Sequence, residues 1–212
     1  MIGTRADHAT HAGHDLLLRL AGRMPDQMLW RLRDWLAAGD PTAIAIMLPR
    51  ALLRHRVGLT DGELELLVTA VGGSVPQRLL DAVLPLTAPE EPPVRFGPGP
   101  AGPDPAVLAL LAVVRGHPGC QQLRQAVRWD DRHQQRVVLV HGGERPWLLT
   151  ATLQRLLRAS GERTPCVEVL PGEWSGNREL PPYHQAALAS STLLWRPAQS
   201  PFADVTPWPY GR

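Results

Sequence analysis

Residues 136–170 read RVVLVHGGERPWLLTATLQRLLRASGERTPCVEVL, and the fold of the chain turns on them. RVVLVH (136–141) is an apolar, β-branched run, the pattern of a strand buried on both faces. Residues 146–160 carry leucines at helical spacing, with Pro146 suited to a first helical turn and Gly161 to a stop. PCVEVL (165–170) reads as a second strand. A helix over 182–190 and a short third strand, TLLW (192–195), complete the order βαβαβ. That order predicts a small parallel sheet with right-handed crossovers.

Working outward, residues 104–115 and 119–129 have helical spacing. Residues 85–105, PLTAPEEPPVRFGPGPAGPDP, are dominated by proline and glycine and predict an irregular connection. Before them lies a helical module, 14–84. Residues 25–38 place Met28, Leu29, Leu32, Trp35 and Leu36 on one face. Residues 40–56 start with Asp40 as cap and Pro41 in the first turn, and Pro49 is expected to kink or split that helix. Residues 59–71 begin with a capping box, Thr60 and Glu63, stapled by Leu59 and Leu64, and end at Gly72 and Gly73. Residues 74–84 predict one more short helix. Residues 1–13 read as a flexible tail and 197–212 as an irregular, proline-rich one. The expected fold is therefore mixed α/β and helix-rich. An N-terminal helical module packs with a small three-stranded parallel α/β unit over 106–196.

Composition narrows the function classes. The chain has 212 residues, a 44% apolar and 20% charged make-up and a net charge of +2, which describes a globular protein. All 22 basic residues are arginine, and lysine is absent. Asn177 is the sole asparagine, and isoleucine occurs three times, which a GC-rich coding sequence explains. The small net charge argues against a nucleic-acid partner. Cys120 and Cys166 have no CxxC spacing, so no thiolate metal site is expected and both read as buried thiols. The longest strongly apolar run, 106–114, is far below the ~20 residues that span a bilayer. Residues 1–14 lack the pattern of a secretory signal, and a cytoplasmic location is expected.

One stretch is a candidate site. His141-Gly142-Gly143-Glu144-Arg145-Pro146 sits where a strand hands over to a helix, and ligands of open α/β sheets bind at the carboxyl ends of strands. The second strand delivers Glu173 and Trp174 to that end, and the third delivers Arg196. His141, Gly142, Gly143, Glu173, Trp174 and Arg196 are thus the expected ligand-binding residues. The imidazole would transfer protons, the arginine would fix a positive charge and the tryptophan would stack. The bland alternative is that the two glycines serve only the turn. Neither GxGxxG nor a P-loop GK[ST] is present. His141-Gly142-Gly143 after a strand resembles the oxyanion loop of α/β-hydrolases, but no GxSxG elbow follows and that fold is set aside.

Other groupings read more plainly. His8, His11 and His14 have three-residue spacing and would share a helix face, but on a tail they make no metal site, and no cofactor is expected. Residues 59–84 superficially resemble a helix-turn-helix, yet the reading element offers only Gln77, Arg78 and Asp81, so an ordinary hairpin is expected. Arg50, Arg54, His55 and Arg56 complement the negative end of their helix or face an acidic partner. Asp130, Asp131 and His133 form a polar turn. Trp30, Trp174 and Trp208 lie off any buried stripe, as interface aromatics do. The expectation is a non-catalytic interaction or regulatory protein that binds a protein partner or itself. The alternative is a small-ligand-binding α/β protein or enzyme with its site at the carboxyl end of the sheet.

Overall fold

The computed structural model describes residues 5–72, 76–88, 90, 93–100, 102, 104–129, 134–164, 166–172 and 180–197. The fold is mixed α/β and helix-rich, as the sequence predicts. Among the described residues the N-terminal part folds as α1 (Arg5–Arg19), α2 (Asp26–Ala37), α3 (Pro41–His55), α4 (Asp61–Val71) and the single turn α5 (Gln77–Leu80). Then follow β1 (Arg95–Pro98), α6 (Pro105–Gly116), β2 (Cys120–Trp129), β3 (Gln134–Gly142), α7 (Pro146–Ala159), β4 (Cys166–Leu170), α8 (Pro182–Ser190) and β5 (Thr192–Trp195).

The helix ends follow their capping residues. The Asp40 carboxylate accepts the Ala43 N–H at 2.9 Å. In α4 the capping box is complete: Thr60 Oγ1 accepts the Glu63 N–H at 3.4 Å, and the Thr60 N–H donates to Glu63 Oε2 at 3.0 Å. Asp104 caps α6 through the Val107 N–H. Pro49 does not split α3, which runs through it. The ring sits on the buried face, and the packing of Ile44, Leu48 and Leu52 around it outweighs one missing backbone bond. The expected tail is also helical from Arg5, with Ala12, Gly13 and His14 buried. A Cβ on Gly13 would meet Leu36 at 2.9 Å, so this glycine lets α1 approach α2 closely.

The sheet is larger than three strands and is not all parallel. Its order is β1-β2-β3-β4, with β5 also on β2. β3 and β4 are parallel, as expected, whereas β2 is antiparallel to β1, β3 and β5. Residues 119–129, expected to be helical, thus supply β2, the strand around which the sheet is built. Two of its polar residues are buried, Arg128 against Asp26 and the Tyr183 hydroxyl, and Gln125 with its Nε2 donating to the Pro100 carbonyl at 3.3 Å. The proline-rich connection also contributes a strand, β1. It lies on a border, where Pro98 costs no ladder bond that a central strand would need.

Alternating side chains divide the core. Leu123, Val138, Val140, Val167 and Val169 pack beneath α6 and α7 with Leu110, Val114, Leu149, Leu153 and Leu157. On the opposite face Ala126, Val137, Leu139, Cys166 and Leu170 meet Leu18 of α1 and Ala187 of α8. Helices α1 to α4 share a third cluster that takes in Trp147 of α7 and Tyr183 of α8. The helical module therefore packs directly on the α/β unit.

Candidate functional site

The carboxyl end of the sheet is where the sequence places a site. β3 and β4 are parallel with His141 opposite Leu170, so both deliver their following loops to one end. β5 runs the same way, but it pairs with β2 rather than β4. Its Trp195 lies opposite Leu123, one step from the Gln122–His141 pair. His141 and Arg196 therefore share an end of the sheet but are separated by β2. Glu173 and Trp174 lie outside the described residues, as do Asp130, Asp131 and His133.

The glycines of the turn are used by the backbone. The Gly143 N–H donates to the Gly119 carbonyl at 3.0 Å, and the Glu144 N–H to the Pro118 carbonyl at 3.0 Å. His117 Nε2 donates to the Glu144 carbonyl at 2.7 Å. A Cβ on Gly142 would stand 2.2 Å from the Gly119 oxygen, and its φ is +77°. Glycine here allows the start of β2 to press against the end of β3. These N–H groups already have acceptors and are not left for an anion. Near them His141 is half-buried, and its Nε2 has no hydrogen-bond partner among the described residues. Burial and the neighbouring Arg124 guanidinium lower its pKa. Arg124 in turn donates to Ser191 Oγ at 2.7 Å.

The densest group of titratable side chains lies elsewhere, around β4. Glu168 is 1% exposed. Its carboxylate receives Arg33 Nη2 at 2.7 Å, Arg33 Nη1 at 3.1 Å and His184 Nε2 at 3.1 Å. Burial pushes the Glu168 carboxyl up, but Arg33 and His184 hold it below its usual value. Arg33 Nη1 also donates to the Val167 carbonyl at 2.8 Å, and Nη2 to the Leu17 carbonyl at 3.3 Å. His14 Nε2 donates to the Val169 carbonyl at 3.0 Å. Burial lowers the His14 pKa to about 4, against the pull of that carbonyl. A second tie joins Arg128 of β2 to Asp26 of α2 and to the Tyr183 hydroxyl. A third joins Arg23 to Glu63 and the Gly58 carbonyl. Each tie connects elements distant in sequence, and each carboxylate has its guanidinium. The first two ties fasten helices to the sheet, and the third fastens the turn between α1 and α2 to α4.

Sequence reasoning missed this cluster, though one signal was present: Glu168 interrupts an otherwise apolar strand. A carboxylate in a strand covered on both faces needs a buried cation.

Other expected features resolve simply. His14 points inward while His8 and His11 remain exposed, so the three histidines do not share a face. The His11 and Trp147 rings meet edge to face with centroids 4.5 Å apart. Trp30 is not an exposed interface aromatic; it is half-buried with Arg158 stacked 3.9 Å over its ring. Both cysteines are buried and free. No helix among the described residues is long and apolar enough to cross a membrane. Exposed large apolar side chains include Ile46 on α3 and Val68 on α4, at 45% and 43%. Comparisons with protein-family models, with curated proteins and with solved structures find no match for this chain.

Proposed function

We propose that this chain is a non-catalytic interaction protein that engages another protein surface through the outer faces of its helical module. The observation that carries this reading is the contrast between inner and outer charges on those helices. Inside, arginine and carboxylate are matched pair by pair. Outside, Arg50 and Arg54 of α3 and Asp61 and Glu65 of α4 make no ion pair among the described residues, and they flank the exposed Ile46 and Val68. Charged groups around apolar anchors suit a polar-rimmed contact.

Site-specific photo-crosslinking tests it. With benzoylphenylalanine at position 46 or 68, a discrete covalent adduct to a protein is expected in the native cell. The same label at Leu108 on α6 should give none. Adducts from neither helical position, or equally from all three, would refute the reading.

The carboxyl end of the sheet supports a second, weaker reading as a small-molecule site, because His141 Nε2 is sheltered beside Arg124 and has no hydrogen bond among the described residues. It ranks below the first because the neighbouring turn N–H groups are occupied.

A further inference from the structure

We infer that the partner on the α3–α4 surface is a second copy of this chain. The inference rests on the interaction reading above and names its partner. The argument is one of complementarity between two faces of the same molecule.

The stretch from Pro41 to Thr60 contains no carboxylate; its charges are Arg50, Arg54, His55 and Arg56. Ile46, Arg50 and Arg54 recur every four residues along the outer side of α3, and all three are exposed. On α4 the outward residues Asp61, Glu65 and Val68 recur at four and three, and all are exposed. One helix face is apolar then basic, the other acidic then apolar.

Laid antiparallel, the two faces match in order. Ile46 meets the partner's Val68, Arg50 meets the partner's Glu65, and Arg54 meets the partner's Asp61. At ~1.5 Å rise per residue the three positions span about 12 Å on α3 and about 10.5 Å on α4, so all three pairs fit in one register. Because both faces belong to one chain, a two-fold axis makes the contact twice, α3 to the partner's α4 and α4 to the partner's α3. Neither Arg50 nor Arg54 reaches Asp61 or Glu65 within its own chain. The charges are thus free to pair between copies.

The competing account gives these residues only local work. Arg54 and His55 occupy the last turn of α3 and Asp61 the first turn of α4, where each complements a helix end. That account covers Arg54 and Asp61. It leaves out Arg50, Glu65 and the two exposed apolar side chains. Glu65 also borders the cleft between α1 and α4.

Two helices of 15 and 11 residues present a small footprint, so the dimer belongs to the weak, salt-sensitive class. Sedimentation equilibrium of the full chain, at low ionic strength and up to about 1 mM for a contact of this class, is the test. The mass should rise from 23.3 kDa toward twice that value and fall back as salt is added. Arg50→Glu with Arg54→Glu should stay monomeric, as should Asp61→Arg with Glu65→Arg. An equimolar mixture of the two should dimerise again, since both contacts then join opposite charges. Arg50→Glu alone and Glu65→Arg alone spare the helix ends and should weaken the dimer while leaving the melting temperature unchanged.

A wild-type chain that is monomeric throughout overturns the proposal. So do charge variants that dimerise like the wild type, or a mixture that stays monomeric. An adduct from position 46 or 68 to a different protein, with a monomeric chain, would sink self-association while leaving the interaction reading standing.

Discussion

The two borders of the sheet are finished in different ways. On one side β4 pairs, among the described residues, only with β3, and its outward carbonyls at Val167 and Val169 are met by side chains, Arg33 from α2 and His14 from α1. On the other side β1 and β5 lie end to end along β2, covering Ala126–Trp129 and Leu123–Gln125 respectively. That border is blunted by shortness and by Pro98, and its join is stitched by Thr192 Oγ1 donating to the Gly99 carbonyl at 3.1 Å. The first border depends on buried charge recruited from far along the chain. The second depends on backbone pairing. A border closed by buried charge is strong while every partner is present and fails sharply when one is removed. A border closed by short strands tolerates single changes.

Removing Arg33 should break the first border most. Arg33→Ala strands the Glu168 carboxylate with one remaining partner and leaves the Val167 carbonyl unmet. The expected loss is about 3–5 kcal/mol, or roughly 6–20 °C in melting temperature for a chain of this size. A loss below about 1 kcal/mol would mean that packing alone closes this border.

Acid should weaken the same border next. His14 is held neutral in the fold, with its pKa lowered to about 4. The unfolded chain binds a proton below about pH 6.5, while the folded chain resists until about 4. Stability is therefore full above pH 6.5 and declines as pH falls toward 4, by at most about 3 kcal/mol. Glu168, also held low, adds loss in the same direction at more acid pH. Denaturation midpoints measured between pH 7 and 4 should show this slope in the wild type. His14→Gln, which keeps a donor but cannot titrate, should flatten it. Equal slopes in both proteins would remove His14 from the account.

The smallest effect belongs to the second border. Leu193→Ala on β5, where the side chain is 40% exposed, should cost within about 0.5–1 kcal/mol by chemical denaturation. A loss as large as that of Arg33→Ala would erase the distinction between the borders.

Much of the local structure was legible from the residues alone. Asp40-Pro41, the Thr60–Glu63 box and Asp104-Pro105 start their helices because a side-chain oxygen meets the first free N–H groups in any context. RVVLVH and CVEVL are strands in parallel, with α7 between them, because a β-branched run and a leucine-rich helix have distinct periods. Gly142 and Gly143 marked a tight turn for the same local reason. Tertiary structure decided what those signals leave open. Residues 120–129 became a strand because β3 on one side and β1 and β5 on the other offered a ladder, which no window within the segment reveals. His14 became a buried donor because β4 needed its outer carbonyls met by something 155 residues away. Arg33 and Glu168 carry no mark of each other across 135 positions. A carboxylate in an apolar strand announces that a cation must come, but only the packing of α2 against β4 says which one.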